Sequence, residues 1–292
     1  MLAQHVTGAA SLLKQLAAAQ APATPLPSFE VAWRRIADEE SAVTTTHPRD
    51  VEDDGSAFGL LYERAATDGE LLDEGIQTML ERWRLPEDAV FADLGSGRGG
   101  LVLRVAAAAR LRHCFGIELI GSKHAAAEAA LERVRPCLKA PVTLMQGDLT
   151  ELGARTRVED GAAESAEADV ATEISGLTHA FACSVCFDDF LLRRMASTLA
   201  DRTAFPCFQS LISLRSLPSQ AELVRIGGLR LPCTWNAGAT AHVYVPADLL
   251  QRPYGSSAGT ARLLARFLCN GGVCTLPTKL QWPRRAQVEL PR

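Results

Sequence analysis

The feature that most constrains this chain is a glycine-rich segment that directly follows a short apolar stretch. Residues 91–99 are Phe-Ala-Asp-Leu-Gly-Ser-Gly-Arg-Gly, and the alanine-rich segment 101–110 comes next. This order predicts a strand over 89–94, a tight turn and a helix. Glycine lets the backbone turn tightly and approach a ligand closely, and the helix N-terminus adds free N–H groups. The pattern therefore predicts a nucleotide-like cofactor site. The alternative is an ordinary strand–turn–helix connection.

Two carboxylates further along the chain indicate which cofactor. Glu118 ends the predicted strand 113–118, and a carboxylate there can accept both hydroxyls of a ribose. Asp148 follows the predicted strand 142–146, where a carboxylate can hold an adenine amino group. Nicotinamide-binding folds share the glycine pattern and the first carboxylate, but they do not normally need Asp93 or the second one. The full series favours S-adenosylmethionine over a nicotinamide.

Length, charge and cysteine usage restrict the class of protein. With 292 residues the chain can bury a full α/β core. No apolar run reaches the ~20 residues that span a bilayer, and the start lacks the apolar core of a secretory signal. A net charge of −4 argues against a generally basic, nucleic-acid-binding surface. The eight cysteines are scattered, which predicts reduced thiols. Cys183 and Cys186 have no matching Cys or His pair, so we predict no metal site.

Strands and helices are predicted to alternate through the middle of the chain. The predicted strands are 89–94, 113–118, 142–146, 178–183 and 206–213, and the predicted helices are 73–84, 99–110, 122–135 and 188–200. This alternation predicts a parallel sheet with right-handed crossovers. The last two strands, 222–231 and 239–246, have no helix between them, which indicates an antiparallel closing hairpin.

The domain boundaries follow from where this alternation begins and ends. Residues 1–54 are predicted to be an N-terminal extension, with a leader and a helix at 29–37. Residues 55–250 are predicted to form the main α/β domain, and 251–292 a C-terminal extension. The acidic segment 151–176 is nearly free of large apolar residues. Such a segment cannot bury enough surface to fold alone, so we expect a disordered or loosely held insertion.

The motifs together resemble the Dot1 family, the non-SET lysine methyltransferases that modify a lysine in the globular core of nucleosomal histone H3. The similar segments follow the family's order within about residues 58–247. Residues 68–70 resemble its Tyr-Gly-Glu loop, 91–99 its cofactor loop and 115–118 its ribose motif. Residues 146–148 resemble its adenine motif, 181–187 its Asn-Asn-Phe-Ala-Phe segment and 231–235 the segment with its channel aromatic.

The resemblance implies a fold, an activity and a set of site residues. The fold would be α/β, a class I S-adenosylmethionine-dependent methyltransferase with a Rossmann-like, mixed seven-stranded sheet and an N-terminal helical extension. The activity would be histone-lysine N-methylation on nucleosomal histone H3, by a chromatin regulator in the nucleus. The cofactor residues would be Glu70, Asp93, Gly95, Gly97, Gly99, Glu118, Asp148 and Leu149. The lysine channel would be formed by Cys183, Phe187, Trp235 and His242, with no general base assigned.

Several positions depart from the family pattern. Asp68 stands where the family usually has Tyr, and Cys183-Ser184 replaces the Asn pair. His242 falls where a second channel aromatic is expected. No long lysine-rich extension is present, and the acidic insertion is foreign to the pattern. These departures indicate a short, divergent member that resembles the protist forms.

Simpler interpretations of the same residues stay open. Glu70 can be a carboxylate that stabilises the N-terminus of the helix that follows it. Phe187 and Trp235 can be core residues, and Cys183 can be a small side chain that fills space in the core. His242 can be a neutral structural histidine.

Other functions also stay open. One alternative activity is methylation of a non-histone protein lysine or a small molecule, and another is an inactive scaffold that keeps the fold. The Arg284-Arg285 pair can make a weak DNA contact or belong to a solvated tail.

Overall fold

The computed structural model describes residues 28–43, 69–156, 166–219 and 222–251. Several sequence predictions fall outside these ranges: the leader before residue 28, the Tyr-to-Asp departure at Asp68, and the C-terminal Arg284-Arg285 pair.

Seven strands form one mixed sheet. They are β1 (Val90–Leu94), β2 (His113–Glu118), β3 (Val142–Gln146), β4 (His179–Ala182), β5 (Ser210–Ser213), β6 (Leu223–Cys233) and β7 (Asn236–Pro246). Their spatial order is β3-β2-β1-β4-β5-β7-β6. The first five are parallel, and β7 runs antiparallel to both β5 and β6. This is the strand order of class I S-adenosylmethionine-dependent methyltransferases, so the predicted fold class and closing hairpin are confirmed.

Helices cover both faces of the sheet. They are α1 (Phe29–Val43), α2 (Asp73–Trp83), α3 (Gly100–Ala108), α4 (Gly121–Val134), α5 (Ala166–Ser175), α6 (Asp189–Ala200) and α7 (Ala247–Gln251). Successive strand residues point to opposite faces. Phe91 accordingly packs with Trp83 in the core under α1–α4, while Val90 packs in the core under α5 and α6. None of the described helices is long and apolar enough to cross a lipid bilayer.

The topology itself marks one edge of the sheet for ligand binding. The chain starts at β1, moves outward to β2 and β3, and then returns to β4 on the other side of β1. In open α/β sheets, ligands bind beyond the carboxyl ends of the strands at such a reversal. Leu94 and Ala182 end the two strands at this point, so the loops that follow them are placed to form a site.

The acidic segment 151–176 is packed more tightly than the sequence predicted. Within its described parts, Leu152 and Ile174 have exposed fractions of 1% and 0%. Glu173 Oε2 lies 2.7 Å from His113 Nδ1, which ties α5 to β2. The prediction of a loosely held insertion is wrong for these parts. The number of apolar residues is small, but the helix places Ile174 directly against the sheet.

We expect Ile174→Ala to lower the free energy of unfolding by about 2–5 kcal/mol, as for other fully buried large-to-small changes. Urea unfolding followed by circular dichroism measures this difference. Thr172→Ala, an exposed position on the same helix, is the control, and we expect a change within about 0.5 kcal/mol. Equal midpoints for Ile174→Ala and the unchanged protein would contradict a structural role for α5.

Candidate functional site

The glycine loop, residues 95–99, joins β1 to α3 at the carboxyl edge of the sheet. Gly95 and Gly97 have φ values of +81° and +55°, in the region that glycine adopts without strain. A Cβ on Gly95 would lie 3.2 Å from Phe187 Cζ, whereas a Cβ on Gly97 would meet no atom within 4 Å apart from its own residue and its two chain neighbours. The N–H groups of Gly95 and Ser96 each donate to Ile117 O at 2.9 Å. The loop is thus anchored to β2 and open above Gly97.

Glu118 is a buried carboxylate that the backbone holds in one orientation. It is 7% exposed. Its Oε2 accepts the N–H of Gly97 and its Oε1 accepts the N–H of Ile120, both at 2.8 Å. Because an ionised carboxylate offers about four acceptor sites, each oxygen can also accept a ligand hydroxyl. The geometry suits a vicinal diol such as that of a ribose.

The third carboxylate stands at the end of the neighbouring strand. Asp148 Oδ1 accepts the N–H of Thr150 at 2.7 Å, which caps the short 3₁₀ turn Leu149–Glu151. Leu149 is 9% exposed and packs into the core. Asp148 and Leu149 therefore offer a polar acceptor next to an apolar surface, the combination that a purine ring needs.

These residues line one cavity of about 680 Å³, within the roughly 300–1,000 Å³ usual for small-molecule sites. The structure brings ten of the twelve predicted site residues to its wall: Glu70, Asp93, Gly95, Gly97, Glu118, Asp148, Leu149, Cys183, Phe187 and Trp235. A ligand with a ribose, a purine and a charged tail fits this donor and acceptor set. Among the described residues, no group of His, Cys, Asp and Glu side chains could hold a metal ion.

Two predicted site residues lie elsewhere. Gly99 caps the N-terminus of α3, and a Cβ there would meet Ala127 and Leu103 at 3.2–3.3 Å, so this glycine serves packing. His242 lies inside the sheet, paired with Ser213 and Gly228. About 20 Å of extended strand separates His242 from the hairpin tip that carries Trp235. The prediction that His242 lines the lysine channel is therefore wrong. Burial lowers the pKa of His242, and Arg225 lowers it further.

Asp93 stands at the end of β1 beneath the glycine loop and is 2% exposed. Burial, followed by the nearby charges of Glu118 and Glu70, raises its pKa to about 8, although a backbone hydrogen bond from Val102 opposes the shift. The carboxyl is therefore mostly protonated near pH 7 in the protein alone. Since nearby positive charge favours the ionised form, a cationic ligand would draw the proton off.

The Glu70 segment is joined to the tip of the β6–β7 hairpin. Thr234 N–H donates to Glu70 O at 2.9 Å, and Glu70 N–H donates to Thr234 Oγ1 at 3.3 Å. The Trp235 ring covers Gly69 so closely that a Cβ there would lie 2.5 Å from ring carbon Cζ3. This pairing spans 164 residues of sequence, and no local sequence signal indicates it.

Cys183 follows β4 at the same edge of the sheet. Its Sγ donates to Gly69 O at 3.2 Å. Burial, followed by the negative charge of Asp93, raises the pKa of the thiol well above its usual range. The side chain is therefore a neutral hydrogen-bond donor, and it is suited neither to act as a base nor as a nucleophile.

Buried serines that no sequence motif indicates hold the next turn. Ser184 and Ser213 are fully buried and share a hydrogen bond of 2.6 Å. Ser184 Oγ also accepts the N–H of Arg215 at 2.9 Å, and the Arg215 guanidinium donates to Phe187 O. This network fixes the turn that places Phe187 against Gly95. A buried serine pair matches no sequence motif. The one indication in the sequence is that Ser184 follows Cys183, a position already singled out.

Comparison with known proteins finds a match to one family over part of the chain. Residues 62–140 match the family model described as histone methylation protein DOT1. No curated protein matches the sequence.

Solved structures of several methyltransferases are similar in outline. An RNA methyltransferase from Salinibacter ruber is 20% identical, with a TM-score of 0.36 over 64% of this chain and 97% of its own. A magnesium protoporphyrin IX methyltransferase from Synechocystis PCC 6803 is 14% identical, with a TM-score of 0.41 over 67% and 94%. A methyltransferase from Geobacter sulfurreducens is 18% identical, with a TM-score of 0.33 over 49% of this chain and only 48% of its own length. These similarities are too weak to carry an argument about this chain.

The family match covers the glycine loop and Glu118, on which the resemblance depended most. The strand order independently gives the class I methyltransferase fold. The partial family match and the strand order both agree with S-adenosylmethionine, the cofactor that the sequence predicts. Residues 62–140 of this chain are thus similar to the Dot1 family of methyltransferases.

Proposed function

We propose that this protein is a histone-lysine N-methyltransferase that modifies a lysine in the globular core of nucleosomal histone H3. The observation that carries the proposal is an aromatic opening beside the glycine loop. Phe187 packs against Gly95, and Trp235, 43% exposed, lines the same cavity. A lysine side chain has an apolar stem and an amine tip, which suits an aromatic passage that ends at a methyl donor.

The cofactor residues then divide by the part of the ligand that they hold. Glu118 accepts the ribose hydroxyls, and Asp148 with Leu149 holds the adenine. Gly95 and Gly97 allow the cofactor to pass close to the backbone. Glu70 and Asp93 lie toward the methionine end. S-adenosylmethionine supplies an electrophilic methyl group, and the protein has only to position the acceptor.

The protein's main chemical task is to deliver a neutral amine. Free lysine has a pKa near ~10.4 and is protonated in water. Apolar walls disfavour the ammonium form and lower that pKa, so Phe187 and Trp235 would act through desolvation and alignment. Cys183 would hold the Glu70 segment through Gly69 and take no part in proton transfer. We assign no general base.

The partners and compartment follow from the substrate. We propose histone H3 in nucleosomes as the partner, the nucleus as the compartment, and a weak DNA contact through Arg284 and Arg285. A second candidate is methylation of a non-histone protein lysine or a small molecule. The net charge of −4 favours that alternative.

The purified protein should methylate nucleosomes when isotopically labelled S-adenosylmethionine is supplied. Nucleosomes, free histones, other proteins and a metabolite extract are incubated separately, and mass spectrometry locates the label. We expect label on a lysine of histone H3 within nucleosomes. Label confined to metabolites or to non-histone proteins would replace this proposal with the second candidate.

A variant of the channel separates transfer from cofactor binding. Trp235→Ala should reduce methyl transfer by about tenfold or more, because one aromatic wall is lost, while affinity for S-adenosylhomocysteine stays within about threefold. Val31→Ala, an exposed apolar residue on α1 outside the cavity, is the matched control. Full transfer by Trp235→Ala would remove Trp235 from the channel.

A further inference from the structure

Glu70 and Arg104 form a pair of opposite charges at one end of the cavity. Arg104 Nη1 lies 4.0 Å from Glu70 Oε2, and both residues line the cavity wall. The separation is longer than a hydrogen bond, which for N–H···O spans about 2.7–3.2 Å. At this distance the two side chains form an ion pair that is longer than a hydrogen bond.

The Arg104 side chain is fixed from the side away from the cavity. Its Nε lies 3.1 Å from Asp73 Oδ1, and its Cζ lies 4.8 Å from the centroid of the Trp33 ring. The side chain is only 20% exposed. Asp73 on α2 and Trp33 on α1 thus hold the guanidinium in place, with Nη1 on the side of Glu70.

Helix α3 sets the spacing of the pair. A Cβ on Gly100 would lie 3.0 and 3.1 Å from the Glu70 carboxylate oxygens, so Glu70 rests on the first turn of α3. Arg104 is one turn further along, on the same helix face. Glycine at position 100 leaves the room that lets the carboxylate approach the helix so closely.

An anion and a cation side by side match an α-amino acid, which carries an ammonium and a carboxylate on one carbon. The carboxylates Glu118 and Asp148 would repel a ligand carboxylate, so the ligand's acidic group needs a cation. The other cations that line the cavity are Arg98, Lys123 and Arg194, and we choose Arg104 because it lies beside Glu70.

We propose that Arg104 binds the α-carboxylate of the methionine moiety of S-adenosylmethionine, while Glu70 faces its α-ammonium. This inference rests on the proposed function and adds to it a residue that no motif indicated. It also gives α1 and α2 a role in the site, because Trp33 and Asp73 keep the guanidinium oriented.

Arg104→Gln should weaken S-adenosylmethionine binding without weakening a ligand that lacks the carboxylate. The matched ligand is decarboxylated S-adenosylmethionine, which keeps the ammonium and the sulfonium. By titration calorimetry we expect a loss of about ten- to a hundredfold for S-adenosylmethionine, the size of one charge-assisted interaction. The affinity for the decarboxylated ligand should stay unchanged. Glu70→Gln should instead weaken both ligands, since both carry the ammonium.

Controls separate this role from a structural one. Arg194→Gln removes another cavity-lining arginine, on α6, and should leave the ratio of the two affinities unchanged. Arg104→Lys keeps the charge and should lose less affinity for S-adenosylmethionine than Arg104→Gln. If Arg104→Gln does not fold, Arg104→Lys is measured in its place. Equal losses for both ligands, or no loss for either, would overturn the assignment of Arg104. Failure of the unchanged protein to bind either ligand would overturn the proposed function itself.

Discussion

Glu118→Ala should weaken binding of S-adenosylhomocysteine by on the order of a hundredfold or more. The substitution removes the acceptors proposed for the ribose. It also leaves the N–H groups of Gly97 and Ile120 without the carboxylate that now accepts both at 2.8 Å. The glycine loop would therefore lose its hydrogen bond to Glu118 at the end of β2, and the ligand would lose its proposed hydrogen-bond acceptor. Titration calorimetry measures the loss of affinity.

A pair of ligands tells these two causes apart. 5′-Methylthioadenosine and its 2′-deoxy analogue differ only in one ribose hydroxyl. The unchanged protein should prefer the hydroxylated ligand, because a site built to bind a hydroxyl discriminates against its absence. Glu118→Ala should lose this preference, and Asp148→Asn should retain it. If Glu118→Ala still discriminates, the ribose lies elsewhere.

In the unchanged protein, ionisation of Asp93 should lower the free energy of unfolding as the pH rises, and Asp93→Asn should abolish this contribution. The pKa of Asp93 is raised from 3.8 to about 8, first by burial and then by Glu118 and Glu70. Between these values the folded protein keeps the proton while the unfolded chain releases it. The unfolded state then binds fewer protons, so the free energy of unfolding falls with pH, by at most about 1.4 kcal/mol per unit. The stabilisation is complete below pH 3.8 and is lost as the pH rises to about 8.

Urea unfolding of the ligand-free protein at pH 5, 6, 7 and 8 measures this effect. The stability of Asp93→Asn relative to the unchanged protein should increase steadily across the series. Asp88→Asn, an exposed position just before β1, is the matched control. Parallel curves for Asp93→Asn and the unchanged protein would show that this carboxyl does not titrate in that window.

The parts of the fold that sequence predicted well depend on local patterns. The glycine loop, the strand ending at Glu118 and the hairpin without a helix are each encoded within a few consecutive residues. Their strands were predicted to within a few residues of the observed bounds. Asp93, Glu118 and Asp148 converge because parallel strands end at a common edge, which makes their meeting predictable without coordinates.

The errors and omissions depend on contacts between distant residues. Composition suggested that 151–176 is loose, yet Ile174 is fully buried, because burial depends on which few residues face the sheet. The order of motifs suggested that His242 reaches the channel, but strand pairing holds it between Ser213 and Gly228. Arg104 went unnoticed because its partners Glu70, Asp73 and Trp33 lie on other segments.

The two hydrogen bonds between Glu70 and Thr234 affect how this site can change over evolution. They use the main chain of both residues and the Thr234 hydroxyl, and no atom of residue 235, so the aromatic side chain at 235 can be exchanged while the Glu70 carboxylate stays in position. An added or deleted residue in the hairpin tip would shift Thr234 and carry Glu70 away from α3. Under the proposed function, new targets can therefore be acquired through point substitutions at the tip, whereas changes in its length should be selected against.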